Sequence, residues 1–226
     1  MVVQLTDING IASIGVYALA TEKIGLIPKS VTANKAKKIE RILKIKVIQT
    51  TIGGFVIMGV LACANSNGIL LPHYVLEEEV KLIKSIFDGN IMIMKTKKTA
   101  YGNMVLANDM GGIVSPLLKR SDIRLISETL GVETVPGEIA GLPYVGSLAV
   151  ATNKGVLAHP LLKETERNTL MEVLKTPVDV GTINCGIPYV GTGLISNSNA
   201  ALAGYITTGP EIFIIGNALD VVKEVE

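Results

Sequence analysis

Prolines recur at a fixed interval along this chain. Pro28, Pro72, Pro116 and Pro160 are each 44 residues apart, and the next position in that series is Gly204. Gly15, Gly59, Asn103, Ser147 and Gly191 keep the same interval, as do Val3, Val47, Ile91, Val135 and Asp179. Five such periods nearly exhaust the 226 residues. A period of this length marks a repeat architecture in which each repeat is one supersecondary unit.

The residues around each mark agree. In the second repeat Val60–Ala64 is apolar, Asn65–Gly68 is a polar turn, and Ile69–Pro72 is apolar again. The turns NSNG, NDMGG and TNKG recur at equivalent places, so they read as hairpin turns, where Asn and Gly tolerate positive φ. After each proline the period changes. Segment 73–87 spaces Val75, Leu76, Val80, Leu82, Ile83 and Ile86 as a helical stripe, and 31–43, 117–130 and 161–174 behave alike. A third apolar run follows, such as Ile91–Met94. Each unit is therefore strand, turn, strand, helix, strand.

Such a unit is too small to bury both a sheet face and a helix stripe alone. The boundaries fall at 15–58, 59–102, 103–146 and 147–190, with 191–226 completed by 1–14. These two end pieces complement each other. This predicts a single-domain α/β ring, strands inside and helices outside, closed by the N-terminal strand Val2 to Leu5. Closure of that kind leaves no open sheet edges.

Charge and composition narrow the function. Lys and Arg total 21 against 20 Asp and Glu, a net charge of +1. That excludes a tail-driven nucleic-acid binder, which needs a large cationic excess. With 3 Phe, 6 Tyr and no Trp, base-stacking platforms are scarce. Cys63 and Cys185 form no disulfide framework, and with only His73 and His159 beside them no zinc spacing appears. No cofactor is expected. The absence of a leader-like opening and of a membrane-length apolar run points to a cytoplasmic protein.

Four stretches, NGIASIGVYALAT, IMGVLACANSNGILLP, AYGNMVLANDMGGIVSP and GLISNSNAALAGYITTGPEI, together with the five periods, resemble the archaeal and eukaryotic translation initiation factor 6 family over essentially the whole chain. The resemblance implies the pentein, or five-fold α/β-propeller, architecture. It implies a ribosome anti-association factor that binds the large ribosomal subunit and blocks joining of the small one. The contact is mainly with a ribosomal protein beside the sarcin–ricin loop, with rRNA nearby, and a role in late large-subunit maturation accompanies it. The chain ends soon after its last helix, as in the archaeal form. A steric blocker acts as a monomer and needs no membrane and no small-molecule substrate.

Candidate docking residues lie in the turns that lead into each unit's first strand: Gly59-Val60, Gly102-Asn103, Gly146 and Gly191, with the preceding Tyr101, Tyr144-Val145 and Tyr189. Tyrosine suits interfaces because it is rigid and amphipathic. Asn103 departs from the glycine of its series, so symmetry does not explain it. The structural alternative is that these glycines make tight turns and the tyrosines fill gaps between units. Lys95 and Lys98, with Lys97, form a basic group suited to rRNA phosphates. Segment 29–46 is also basic, with Lys29, Lys35, Lys37, Lys38, Arg41, Lys44 and Lys46 against Glu40 alone. It reads either as a phosphate contact or as the solvated face of a helix.

The rival reading is a guanidino-modifying enzyme of the same fold, arginine deiminase-like or amidinotransferase-like. It needs a Cys nucleophile, a His and carboxylates converging at the hub. Cys63 reads as a core residue and Cys185 as the better thiol, and no suitable constellation shows in the spacing. Asp7, Asn9, Thr50 and Asn184 are plausible liners of a polar central channel.

Overall fold

The structure, a computed structural model, describes residues 3–221. Strand β1 (Val3–Thr6) comes first. Five units follow. The first holds α1 (Ile14–Tyr17), β2 (Leu19–Ala20), β3 (Ile24–Pro28), α2 (Ala33–Leu43) and β4 (Lys46–Thr50). The second holds α3 (Met58–Leu61), β5 (Cys63–Ala64), β6 (Gly68–Pro72), α4 (Glu77–Lys84) and β7 (Asn90–Met94). The third holds α5 (Tyr101–Met104), β8 (Val105–Ala107), β9 (Gly112–Val114), α6 (Arg120–Leu130) and β10 (Thr134–Pro136). The fourth holds α7 (Val145–Leu148), β11 (Ala149–Ala151), β12 (Val156–Ala158), α8 (Glu164–Leu174) and β13 (Val178–Val180). The fifth holds α9 (Val190–Gly193), β14 (Leu194–Asn197), β15 (Ala200–Gly204) and α10 (Gly209–Ala218).

Each unit contributes one three-stranded sheet. The first two strands pair antiparallel across the Asn- or Thr-led turn, and the third returns parallel after the long helix. The fifth sheet takes its third strand from the chain start. β1 lies parallel to β15, with Val3 opposite Ala201 and Thr6 opposite Gly204. Val2, the expected start of that strand, lies outside the described residues.

The apolar runs ahead of the turns are not all strand. Their first halves form one-turn helices, α1, α3, α5, α7 and α9. Four residues cannot hold a helix by propensity, so packing sets it. Each one-turn helix touches the next, and α9 returns to α1. Gly15, Gly59, Gly102, Gly146 and Gly191 form the contact. A Cβ on Gly59 would collide with the Gly15 carbonyl oxygen, and one on Gly102 with that of Gly59. Gly146 meets Gly102, Gly191 meets Gly146, and Gly15 meets Gly191. The cycle of backbone contacts closes on five members.

These glycines are spaced 44, 43, 44 and 45 residues apart. Strand register repeats the irregularity: Leu26, Leu70, Ile113, Leu157 and Leu202 occupy equivalent places. The uniform 44-residue series is therefore out of phase by one in the third and fourth units. Ser115 and His159, not Pro116 and Pro160, match Pro28 and Pro72. Asn103 matches Val16 and Val60 and does not replace a glycine.

The seams are sealed by the long helices and by the turns. α6, for example, packs on β6 and β7 of the second unit as well as on its own β10. At the turns, Asn65 Nδ2 donates to the carbonyls of Asn108 and Leu130 in the next unit, at 3.1 and 2.9 Å. Asn108 does the same to Thr152 and Leu174, and Asn197 to Thr21 and Leu43. The first and fourth units carry Thr21 and Thr152 there, which bond within their own turns. Those two seams are bridged by ion pairs, Lys23 with Asp88 at 3.9 Å and Lys154 with Asp220 at 3.8 Å.

The central cavity, about 110 Å³, is lined mainly by Ala18, Ala62, Ala149 and their neighbours on β2, β5, β8, β11 and β14. Asp7, Asn9, Thr50 and Asn184 do not line it. Asp7 bonds Lys35, Asn9 bonds Ser30, and Asn184 bonds the Ala12 carbonyl, all away from the axis.

Gly102→Ala forces a methyl into the Gly59 carbonyl. We expect a loss of about 1–3 kcal/mol, as for overpacked cores, measured by urea unfolding. An unchanged midpoint would refute the glycine contact.

Candidate docking face

The connection from each outer strand to the next one-turn helix lies at one end of the ring. Four of the five share a short pattern: Ile8-Asn9-Gly10-Ile11, Ile52-Gly53-Gly54-Phe55, Ile139-Ala140-Gly141-Leu142, and Ile183 to Ile187 with one residue more. In each, the first apolar residue exchanges backbone hydrogen bonds with the last. The residues between them take positive φ, including Asn9, Ala140, Asn184 and Cys185. Such turns keep the two arms tightly twisted. The first Ile is fully buried in every case. The last apolar residue faces solvent: Ile11 is 40% exposed, Phe55 56%, Leu142 37% and Ile187 45%.

Tyr144 and Tyr189 are exposed beside these tips. The connections from the middle strand to the long helix reach the same end and add Leu117, Leu161, Tyr205 and Ile206, all exposed. Phe55 meets Tyr74 edge to face at 5.9 Å, and His159 meets Tyr189 at 6.0 Å. Burial lowers the pKa of His159 against a smaller opposing pull from Glu166. One end of the ring thus presents a broad apolar and aromatic surface, the kind that marks an interaction site.

The tips are pinned from below. The third residue of a long helix reaches both its own helix start and the tip. Glu79 accepts from the N–H groups of Gly53, Gly54 and Leu76 and from the Thr51 hydroxyl, at 2.6–3.0 Å. Glu166 accepts from Ala140, Gly141 and Lys163. Glu211 accepts from Cys185, Gly186, Thr182 and Thr208. In the first unit the charges are reversed: Lys35 Nζ lies 2.8 Å from Asp7 Oδ2, and Asp7 Oδ1 accepts from Gly10. Converging N–H groups are an anion site, here filled by the protein's own carboxylate.

The third unit departs from this plan. Its connection 95–100 is one residue shorter, carries Lys95, Lys97 and Lys98, and forms no bridge among the described residues. Asp122 stands at the equivalent helix position. Its side-chain partner among the described residues is Ser121. The segment is held instead by Thr96, which accepts from Lys98 N–H and bonds the Tyr101 hydroxyl at 2.9 Å. All three lysines are exposed.

Several expected contact residues change role. Tyr101 and Val145 are fully buried at the position of Ile14 and Met58, so they are core and not surface. Gly59, Gly102, Gly146 and Gly191 serve the helix contact. Val60 and Asn103 stay half-exposed at the mouth of the axis, with Ser147 and Thr192. Tyr144, Tyr189, Lys95 and Lys98 remain accessible. The tip residues Ile11, Phe55, Leu142 and Ile187 were not among the expected contacts. The fourfold repetition of their pattern was the signal for them.

Nor do the reactive groups meet. Cys63 is buried on β5, and burial pushes its thiol up to about 12. Cys185 sits exposed on the 183–187 tip, and His73 is exposed beyond β6. The lining of the central cavity contains neither histidine nor carboxylate among the described residues.

Burial opposes ionisation of Glu211, but hydrogen bonds from Thr208, Gly186 and Thr182 outweigh it and hold its pKa down to about 2, from an ordinary 4.5. A carboxylate depressed in the folded state stabilises above its unfolded pKa and loses that contribution as pH falls towards the folded one. Melting temperature should therefore drop between about pH 4.5 and 2. Glu211→Gln should lower it at pH 7 and flatten that acid slope. An unchanged slope would show that Glu211 carries no linkage.

The sequence pattern of the eIF-6 family matches residues 3–218. The chain is 41% identical over 227 aligned positions to "Translation initiation factor 6" of Pyrococcus abyssi, covering 98% of this chain and 100% of that one. The protein of that name from Methanocaldococcus jannaschii is 43% identical, with 95% and 96% covered. That from Staphylothermus marinus is 38% identical, with 93% and 94% covered. The shared name is that of a translation factor and not of an enzyme. This chain belongs to the eIF-6 family.

Proposed function

We propose that this protein docks through its apolar end on the large ribosomal subunit and keeps the small subunit from joining. The observation that carries the reading is the exposed set Ile11, Phe55, Leu142, Tyr144, Ile187 and Tyr189 at one end of a ring whose tips are pinned. The five-unit cycle corresponds to the pentein architecture, as one domain with the fifth unit completed by residues 1–14. Specific protein interfaces take about 800 Å² per partner, and aromatic anchors dominate their energy. The main partner is then a protein surface on the subunit. Lys95, Lys97 and Lys98 contribute a phosphate contact to adjoining rRNA, and Val60 and Asn103 add to the centre of the face. Blocking requires residence and no turnover, which a cytoplasmic monomer supplies without cofactor or membrane. Among the described residues no helix is long and apolar enough to cross a membrane. A part in late maturation of the subunit follows from occupying the same face.

Adding the purified protein to separated subunits should reduce joined ribosomes on sucrose gradients. No reduction at saturating protein would end the proposal. Phe55→Asp with Tyr144→Asp should weaken large-subunit binding at least tenfold, in line with loss of hot-spot anchors worth ~2 kcal/mol or more, while leaving the melting temperature unchanged. Undiminished affinity would move the docking surface elsewhere. Cys185→Ser should leave anti-association intact.

A further inference from the structure

We propose that the outer face of α2, continued into the cleft at its C-terminal end, is a second binding surface that takes an RNA backbone. It is independent of the apolar end.

The five long helices occupy equivalent places, so their differences are not imposed by the ring. α2 carries Lys35, Lys37, Lys38 and Arg41 against Glu40. No other long helix has an excess of cations. α4 has three Glu and two Lys, α6 two Arg with Asp122 and Glu128, α8 three Glu and Arg167, and α10 only Glu211. The packing half of α2, Ala36, Ile39, Ile42 and Leu43, is buried. Lys37, Lys38 and Arg41 point outward and are exposed, as are Lys44 and Lys46 beyond them. Among the described residues no carboxylate lies within ion-pair distance of these five. Glu40 accepts from the Val47 N–H at 3.0 Å.

Cations in the last turn of a helix gain from its dipole, which accounts for Arg41 and Lys44 but not for Lys37 and Lys38. Lys37, Arg41 and Lys44 follow one stripe about 10 Å long at 1.5 Å per residue. The stripe leads into a cleft of about 500 Å³ between the ends of α2 and α4. Lys23, Lys44 and Lys46 surround it, Ile24, Ile45, Ile86 and Phe87 form its floor, and Asp88 lies at its edge beside Lys23. This cleft lies at the turn end, away from the apolar tips, so a docked molecule still offers it.

The chemistry selects the partner. Lysine is depleted from protein interfaces and suits phosphate as a point charge. A membrane-surface helix needs an exposed apolar face, and α2 keeps its apolar face inside. A phosphate backbone asks for spaced cations alone.

The test is fluorescence anisotropy with a 20-nucleotide oligouridylate and a 20-base-pair RNA duplex, each titrated over a salt series. The wild-type protein should bind at least one of them at low salt. K37E/R41E/K44E should weaken that binding at least tenfold. Loss of three contacts should also reduce the slope of log K against log salt by about 2, at ~0.7 per neutralised phosphate. K37Q/R41Q/K44Q, which adds no repulsion, should reduce the slope equally. R124E/K175E, exposed cations elsewhere on the ring, should stay within twofold of wild type. Wild-type affinity in both α2 variants, an equal loss in R124E/K175E, or binding to phosphatidylserine vesicles but to neither RNA would overturn the proposal.

Discussion

The contact on which the ring depends is backbone on backbone. Five one-turn helices meet through Gly15, Gly59, Gly102, Gly146 and Gly191, each lying where a side chain would strike the glycine carbonyl of the preceding unit. That distance sets the radius of the hub. Where the chain leaves the hub, Ala18, Ala62 and Ala149 line the axis, with the larger Val105 and Leu194 at the equivalent places of the third and fifth units. Among the described residues the lining of the hub brings no acid or base to Cys63, as catalysis there would need. Chemistry and docking are thereby pushed to the ends and the rim. Close-packed interiors resist deformation, so the contact also makes the ring a stiff support for whatever its ends present.

Much of this is legible in the sequence, and the failures of phase have one source. Period, unit content, hairpin turns and the split fifth unit all followed from spacing. The error was the assumption of a uniform 44 residues. The connection 95–100 has lost one residue and the connection 182–189 has gained one, so the phase is wrong between them and right on either side. Pro116 and Pro160 happen to sit one position past the true equivalents and hid the slip. Tyr101 resembles Tyr144 and Tyr189 in sequence but occupies the core position one step later. The turn-leading residues Thr21, Asn65, Asn108, Thr152 and Asn197 carried the correct phase. The one-turn helices were beyond reach, because a short apolar run reads alike as strand or buried helix.

Both length changes fall at the same end of the ring, and so do the exposed tips. At the other end the turns keep one length, since they must deliver Asn65, Asn108 and Asn197 to carbonyls of the next unit. A changed turn there would break a seam. Where asparagine is missing, Lys23 and Lys154 span the gap. One end is thus constrained by assembly and the other is free to vary.

The free end is not uniformly pinned. Three tips are fixed by a carboxylate from the helix below, which accepts from the converging N–H groups, and the first by Asp7, itself held by Lys35 of the helix. The connection 95–100 lacks this fixture and carries three lysines. The two properties belong together. A pinned tip presents a preset apolar contour and binds with little ordering cost. A lysine segment held through Thr96 and Tyr101 can adjust to the position of a phosphate, whose attraction is weakly directional and reaches several ångströms. An apolar contour over most of the face, with one cationic sector at its edge, complements a surface that carries both apolar relief and negative charge.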